Sequence, residues 1–366
     1  MTDYASAHAA DADARALAET CAAELGDKSG HTLGFVYVTD PLAEALEDIV
    51  GILKSRTGIA DWVGTVGIGV CASGTEYFGR PAMSVLTGDF SVDAYRLLPS
   101  LDDPQRIAPA LDATFFAGLG VVHGDPRNAQ ATDIVSALGR DHGIYLVGGL
   151  TAAENAFPQV AGHVLDGGIS GVLLGGKLDV AVGLTQGCYP IGPTHTVTGG
   201  EGNLLMSLDD RPALEVVCED LGVAEGVDPQ PWLRNIHAAL PVVGSDMGDY
   251  LVRNLIGIEP SEGLVAIADE VAPGDRILFV RRDAESAAKD LERMLTDLRG
   301  RASGQPKAGL YFSCVARGPH LFDEEAHELR AIREAFGDIP IAGFFGNGEI
   351  SNDRVYGYTG VLTLFL

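Results

Sequence analysis

At 366 residues, 46% apolar and 21% charged, the chain reads as a folded globular protein too long for one ordinary core, which excludes intrinsic disorder and a small stapled scaffold. Twenty-five basic against fifty-one acidic residues leave a formal charge of −26, which repels nucleic-acid phosphates and anionic membrane surfaces over roughly 8–10 Å, so neither is an expected partner. The five cysteines, Cys21, Cys71, Cys188, Cys218 and Cys314, are odd in number and form no C-x-x-C pair. They signal neither a disulfide framework nor a zinc knuckle, and they fit a reducing cytoplasm.

In chain order, residues 1–30 are expected to form one amphipathic helix, with Ala14, Leu17, Ala18, Cys21, Ala22 and Leu25 at helical spacing and Gly26 and Gly30 as stops. No basic-then-apolar leader opens the sequence, and no apolar run approaches the roughly 18–20 residues of a membrane span. A strand at 34–38 precedes a helix capped at Thr39-Asp40-Pro41 with Leu42, Leu46, Ile49, Ile52 and Leu53 on one face. The glycine-rich apolar stretch 63–71 runs into Ser73, Gly74, Thr75 and Glu76, with a strand following at 83–86. Further strands are expected at 114–119 and 144–150, the second opening into a turn at Gly148-Gly149, with a helix at 128–138 between them. Residues 169–174 and 178–184 read as a hairpin across Gly175-Gly176-Lys177.

Beyond a proline-broken segment at 189–198, strand, turn and helix start are expected near 204–212, and a polar connection spans 209–232, most punctuated at 222–231. Strands near 264–268 and 276–280, a helix through Ala287, Leu291, Met294 and Leu298, a strand at 309–315, and a helix with Leu329, Ile332 and Phe336 inward complete the pattern before closing strands at 340–345 and 358–365. The fold class expected is α+β, with two related halves of mixed, largely antiparallel β-sheet flanked by helices.

The stretch 339–350 carries the densest cue for a site. A buried strand enters a turn whose glycines, Gly343, Gly346 and Gly348, allow close backbone approach, with Asn347 and Glu349 beside them. The segment 67–77, with Glu76, echoes it. Cys314 ends an apolar strand three residues before Arg317, which at a strand exit is placed to grip a carboxylate or to form a structural ion pair. No G-x-S-x-G, G-x-x-x-x-G-K-[ST], H-E-x-x-H or complete G-x-G-x-x-G pattern is present, so no catalytic residue and no metal set is assigned. His123, His142, His163, His195 and His237 are scattered without ligand spacing, although a single one suffices for an axial haem bond.

Phe312-Ser313-Cys314-Val315-Ala316-Arg317-Gly318, the run 341–350 and Tyr358-Thr359-Gly360-Val361-Leu362 resemble the FIST family, as do, less specifically, 67–76, Val147-Gly148-Gly149-Leu150, Gly192-Pro193 and Val197-Thr198. The resemblance covers roughly 32–366 and implies, after the helix expected at 1–30, a FIST N-terminal domain at 31–208 and a FIST C-terminal domain at 209–366. It implies a sensory protein of signal transduction that binds small ligands such as amino acids, with some members linked to haem and nitric oxide. No kinase, cyclase or receiver segment stands beside these regions, so a signal is expected to leave through a separate protein.

Three readings follow. The first is a cytoplasmic small-molecule-binding protein, more a binder than an enzyme, that holds a polar ligand between the halves through Arg317, Asn347, Glu349, Cys314, Gly346, Gly348, Glu76 and the backbone of Gly148 and Gly149. The second is a haem-binding gas sensor. The third is an enzyme using Cys314 as nucleophile, which requires a thiol titrating well below ~8.5.

Overall fold

Three segments share one local pattern of buried strand, helix and buried strand. They are Leu33–Thr39, Leu46–Thr57 and Asp61–Gly67; then Ala117–Gly124, Ala131–Arg140 and Tyr145–Leu150; then Ala308–Cys314, His327–Phe336 and Ile341–Gly346. Each helix carries the chain back, so the two strands of each segment pair in parallel. The helices bury one stripe apiece, through Ile49, Val50 and Leu53, through Ile134, Val135 and Leu138, and through Leu329, Ile332 and Phe336. The computed structural model describes residues 3–28, 30–224, 227–228, 230–231, 233–242, 249–322 and 324–366. The polar connection expected at 222–231 lies partly outside the described residues.

All three segments belong to one compact unit, formed by Met1–Thr185 with Leu291–Leu366. After its parallel pair, each segment gives a two-stranded hairpin to the sheet of another. Gly69–Ala72 and Thr75–Phe78 join the third pair, Gln159–Ala161 and His163–Leu165 join the first, and Glu349–Asn352 and Arg354–Tyr356 join the second. The result is three six-stranded sheets, each containing the parallel pair of one segment. Their inner faces share one core that includes Phe35, Tyr37, Val70, Val121, Val147, Phe312, Phe344 and Val361, while the helices cover the outer faces.

Equivalent glycines make this possible. Gly64 pairs with Val36, Gly148 with Val122 and Gly343 with Tyr311, and a methyl group added at any of them would lie 1.7, 1.8 or 1.7 Å from that partner's carbonyl oxygen. The following row brings Tyr37, His123 and Phe312 together at the centre, with ring centroids 5.5 to 6.2 Å apart.

The second compact unit, Gln186–Asp290, is a different construction. Arg276–Arg282, His195–Glu201, Leu204–Leu208, Leu264–Ile267, Tyr250–Glu259 and Ile236–Pro241 pair in that order, and the last pairs again with the first, so the antiparallel sheet closes into a barrel. Its interior packs Val197, Leu205, Val265, Ile277 and Phe279 against Val216 and Val217 of helix Ala213–Leu221. At one edge His195 bridges two acids, with Nδ1 2.7 Å from Asp209 Oδ2 and Nε2 3.0 Å from Asp220 Oδ2. A neutral imidazole has one N–H, so satisfying both carboxylates requires the imidazolium.

The α+β class holds, with mixed and antiparallel sheets. Local details differ from expectation. The region 1–30 contains strand Tyr4–Ala10 ahead of helix Ala14–Leu25, and the alanine-rich strand owes its conformation to pairing with Ala82–Gly88 rather than to propensity. The stretch 63–71 is two strands broken at Ile68 and divided between two sheets. Residues 169–184 form no hairpin: Ile169–Gly175 lies between Ala117–Gly124 and Tyr95–Leu101, whereas Val180–Gln186 neighbours Thr359–Phe365. The strand expected at 114–119 begins at Ala117, leaving Phe116 82% exposed. Gly148 and Gly149 lie inside strand Tyr145–Leu150, not in a turn.

Two outcomes are expected. Gly343→Ala should destabilise the protein by about 3 kcal/mol or more, read as a lower urea midpoint, because backbone must move to admit the methyl. Gly51→Ala, in a helix with nothing within 4 Å, should instead stabilise by about 0.5–1 kcal/mol. For His195, burial lowers the pKa but the hydrogen bonds to Asp209 and Asp220 outweigh it, and the net shift is upward from 6.5. A raised folded pKa stabilises fully below the unfolded value and is lost as pH rises through the folded one. The His195 imidazole resonance, assigned with His195→Gln, should titrate above 6.5, and the variant should lose the extra fall in melting temperature across that window.

Candidate functional site

The strand Ala308–Cys314 is buried throughout and places alternate hydroxyls, Tyr311 and Ser313, on one face. Helix His327–Phe336 packs over that face and brings Glu328 between them. Tyr311 Oη donates to Glu328 Oε1 at 2.6 Å and Ser313 Oγ to Oε2 at 3.0 Å. Arg317, three residues past the strand, donates to Glu328 Oε1 through Nε at 2.8 Å and Nη2 at 2.6 Å, and through Nη1 to the Tyr358 carbonyl at 3.3 Å. Arg317 and Glu328 are each 0% exposed. The guanidinium is therefore committed to a structural ion pair, one of the two roles open to it from sequence.

Glu349 begins the strand beyond the turn, directly opposite Gly149 and also 0% exposed. The backbone N–H and hydroxyl of Thr359 donate to its Oε2 at 3.2 and 2.7 Å. Its Oε1 has no hydrogen-bond partner. Burial pushes its pKa up to about 8, opposed by the Thr359 bonds and by the charge of Arg317. A carboxyl group at this position is mostly protonated at neutral pH.

Gly346, Asn347 and Gly348 lie at the turn between strands Ile341–Gly346 and Glu349–Asn352. Val315 N donates to Gly346 O at 2.9 Å, Asn347 N to Leu150 O at 2.9 Å, and Leu150 N to Gly348 O at 2.8 Å. The Asn347 side chain is exposed and does not point the way expected of a buried ligand contact. Gly348 has φ +135, a conformation that side chains avoid. Glu76 approaches from strand Thr75–Phe78, its Oε1 accepting from Ala326 N at 2.9 Å and its Oε2 without a partner. Burial raises its pKa to about 7.

Cys314 lies beside this cluster. Burial, then the neighbouring Glu349 charge, push its thiol up to about 12, which removes the thiolate that a cysteine-dependent mechanism requires. The structure thus brings Cys314, Arg317, Glu349 and the Gly148, Gly149, Gly346 and Gly348 backbone into one neighbourhood, with Glu76 reaching it through Ala326 and Glu328. All belong to the larger unit. Sequence reasoning missed Glu328, Thr359, Tyr311 and Ser313. The alternation of Tyr311 and Ser313 in an otherwise apolar strand was the available signal, whereas Glu328 reads as an ordinary first-turn helix acid.

Two strands from Glu349, in the same row, stands His123, and Gly149 separates them. His123 is 0% exposed, lies 3.3 Å from Tyr37 Oη through Nε2, and has no partner at Nδ1. Burial lowers its pKa to about 3, so it is neutral. The rings of Tyr37, Phe344 and Phe312 stand 5.5, 5.8 and 6.2 Å from it and fill the space a porphyrin would occupy, so the surroundings of His123 do not fit haem. Among the described residues no cluster of three or more His, Cys, Asp and Glu side chains is arranged to hold a metal, and no helix is long and apolar enough to cross a membrane.

Comparison with known proteins places this geometry in a family. The FIST N domain model matches residues 32–211 and the FIST C domain model residues 213–352. An uncharacterized protein of Mycobacterium tuberculosis is 28% identical over 380 residues, covering 96% of each chain. A second, from Mycobacterium bovis, is 35% identical over 214 residues, covering 56% of this chain and 54% of its own. The human F-box only protein 22 is 44% identical over 48 residues, 13% of this chain and 12% of its own. The chain therefore belongs to the FIST family, whose domains are associated with signal transduction and small-ligand sensing.

Proposed function

We propose that this protein is a cytoplasmic sensor whose ligand is a small polar metabolite such as an amino acid, bound at the Glu349 cluster. One observation carries the reading: Glu349 Oε1 is buried and unpartnered in a structure where its neighbours Arg317, Glu328, Tyr311 and Ser313 are fully engaged. Leaving such an atom unsatisfied costs about 1–3 kcal/mol, and buried polar atoms without partners are few in native proteins. A ligand group hydrogen-bonded at Oε1 removes that cost. Backbone strain supports the same place, because Ala326 and Tyr358, both in contact with the cluster, take left-handed φ of 53 and 63.

The site is closed, so exchange of a ligand requires the turn at Gly346, Asn347 and Gly348 to lift. The hydrogen bonds that must open are the three that tie it to Val315 and Leu150. Five free cysteines support a reducing compartment. The output passes to a separate signalling protein.

Thermal-shift measurements against amino acids and related small metabolites test the reading. At a ligand concentration of 100 times Kd, stabilisation of about 2.7 kcal/mol is expected in the wild type. Glu349→Gln, which keeps the shape, should lose most of that shift while remaining folded. No response to any metabolite, with wild type and variant alike, would overturn it.

A further inference from the structure

We infer that the group recognised at Glu349 is a cation, a small primary ammonium, and that Arg317 does not receive a ligand carboxylate. This rests on the ligand-site reading above and sharpens it. The usual expectation for an arginine beside a glutamate in an amino-acid site is that each takes one end of the zwitterion. Here the charges do not allow it.

Arg317 is the cation among the charged groups that surround Glu349, and Glu328 already neutralises it through two short contacts to Oε1. Its third direction is taken by the Tyr358 carbonyl. A ligand carboxylate would have to displace Glu328, which is simultaneously held by Tyr311 and Ser313, and would leave a surplus negative charge in a site with no water access. An ammonium meets the opposite situation. Oε1 of Glu349 is buried without a partner, and once the carboxyl is ionised a cation there forms a compact charged pair beside a pair that is already neutral.

The groups facing Glu349 from the packed elements are Arg317 after strand Ala308–Cys314, Glu328 from helix His327–Phe336, Cys314 at the strand end and the Thr359 hydroxyl. None of the last three supplies positive charge. Before binding, burial keeps Glu349 protonated at neutral pH. Binding an ammonium therefore ionises the carboxyl: the O–H proton leaves to solvent and the ammonium takes its place as donor. No other bond changes.

The test is calorimetric titration of the full chain with ethylammonium chloride, glycine and sodium acetate at matched ionic strength, in two buffers of different ionisation enthalpy. Ethylammonium should bind with release of close to one proton at pH 7, and its apparent affinity should rise about tenfold per pH unit until pH approaches about 8. Acetate should not bind, and glycine should bind no more tightly than ethylammonium. Glu349→Gln should abolish proton release, and Thr359→Val, which keeps the carboxylate, should retain it. Binding of acetate, or binding of ethylammonium with no proton released, overturns the inference while leaving a ligand site at Glu349 in place. If none of the three binds, the inference fails, whereas the broader reading fails only when the wider metabolite screen is also blank.

Discussion

The larger unit depends on a close approach of backbone to backbone. At Gly64, Gly148 and Gly343 a methyl group would penetrate the carbonyl of the neighbouring parallel strand, so no side chain can be borne there. These positions are equivalent in three strand-helix-strand segments, and each lies a few residues before the chain leaves its own sheet for the next. The tight contact lets the second strand of each pair press against the first, and the row that follows brings Tyr37, His123 and Phe312 to a common centre. Everything beyond, including the turn that carries Glu349, is placed by where that strand ends.

The second determinant is electrostatic. Around Arg317 the structure meets nearly every hydrogen-bonding demand, because in a poorly polarisable interior an unpaired charge costs several kcal/mol. Against that background Glu349 and Glu76 stand out, each with one carboxyl oxygen satisfied and one not. Ala326 and Tyr358 add local strain at the same cluster. Unsatisfied polarity and backbone strain in one place lower stability.

Much of this was legible in the sequence. Most strands and helices of the three strand-helix-strand segments were visible because hydrophobic period and glycine punctuation are local signals, and the Arg317 to Glu349 neighbourhood was visible because its glycines and charged residues lie close together in the chain. What was not legible is which sheet a strand joins. The turn at Gly175-Gly176-Lys177 looks like a hairpin locally, yet the flanking strands pair with other strands far along the chain, Ile169–Gly175 with Tyr95–Leu101 and Ala117–Gly124. The stretch 63–71 gives no sign that Ile68 is a corner. Two halves were expected where the larger unit has three equivalent segments, because the middle segment, ending in Gly148-Gly149, lacks the carboxylate that made the echo between 67–77 and 339–350 noticeable. Glu328 was hidden for a related reason: its function is set by a helix docking onto a strand that precedes it, not by its own neighbours in sequence.

The position of Glu349 also bears on how binding could be felt elsewhere. The residue follows the third parallel pair in the chain but is hydrogen-bonded into the sheet of the second, opposite Gly149. Four residues later Asp353 forms an ion pair with Arg140 at the end of helix Ala131–Arg140, and Gly139 lies so close that an added methyl would meet Asp353 at 2.6 Å. Strand Tyr145–Leu150 and that helix are therefore the first elements that any displacement of Glu349 meets, and close packing at Gly149 and Gly139 leaves little slack for it to dissipate. A contiguous set of packed elements thus runs from the buried carboxyl to a helix with an exposed face.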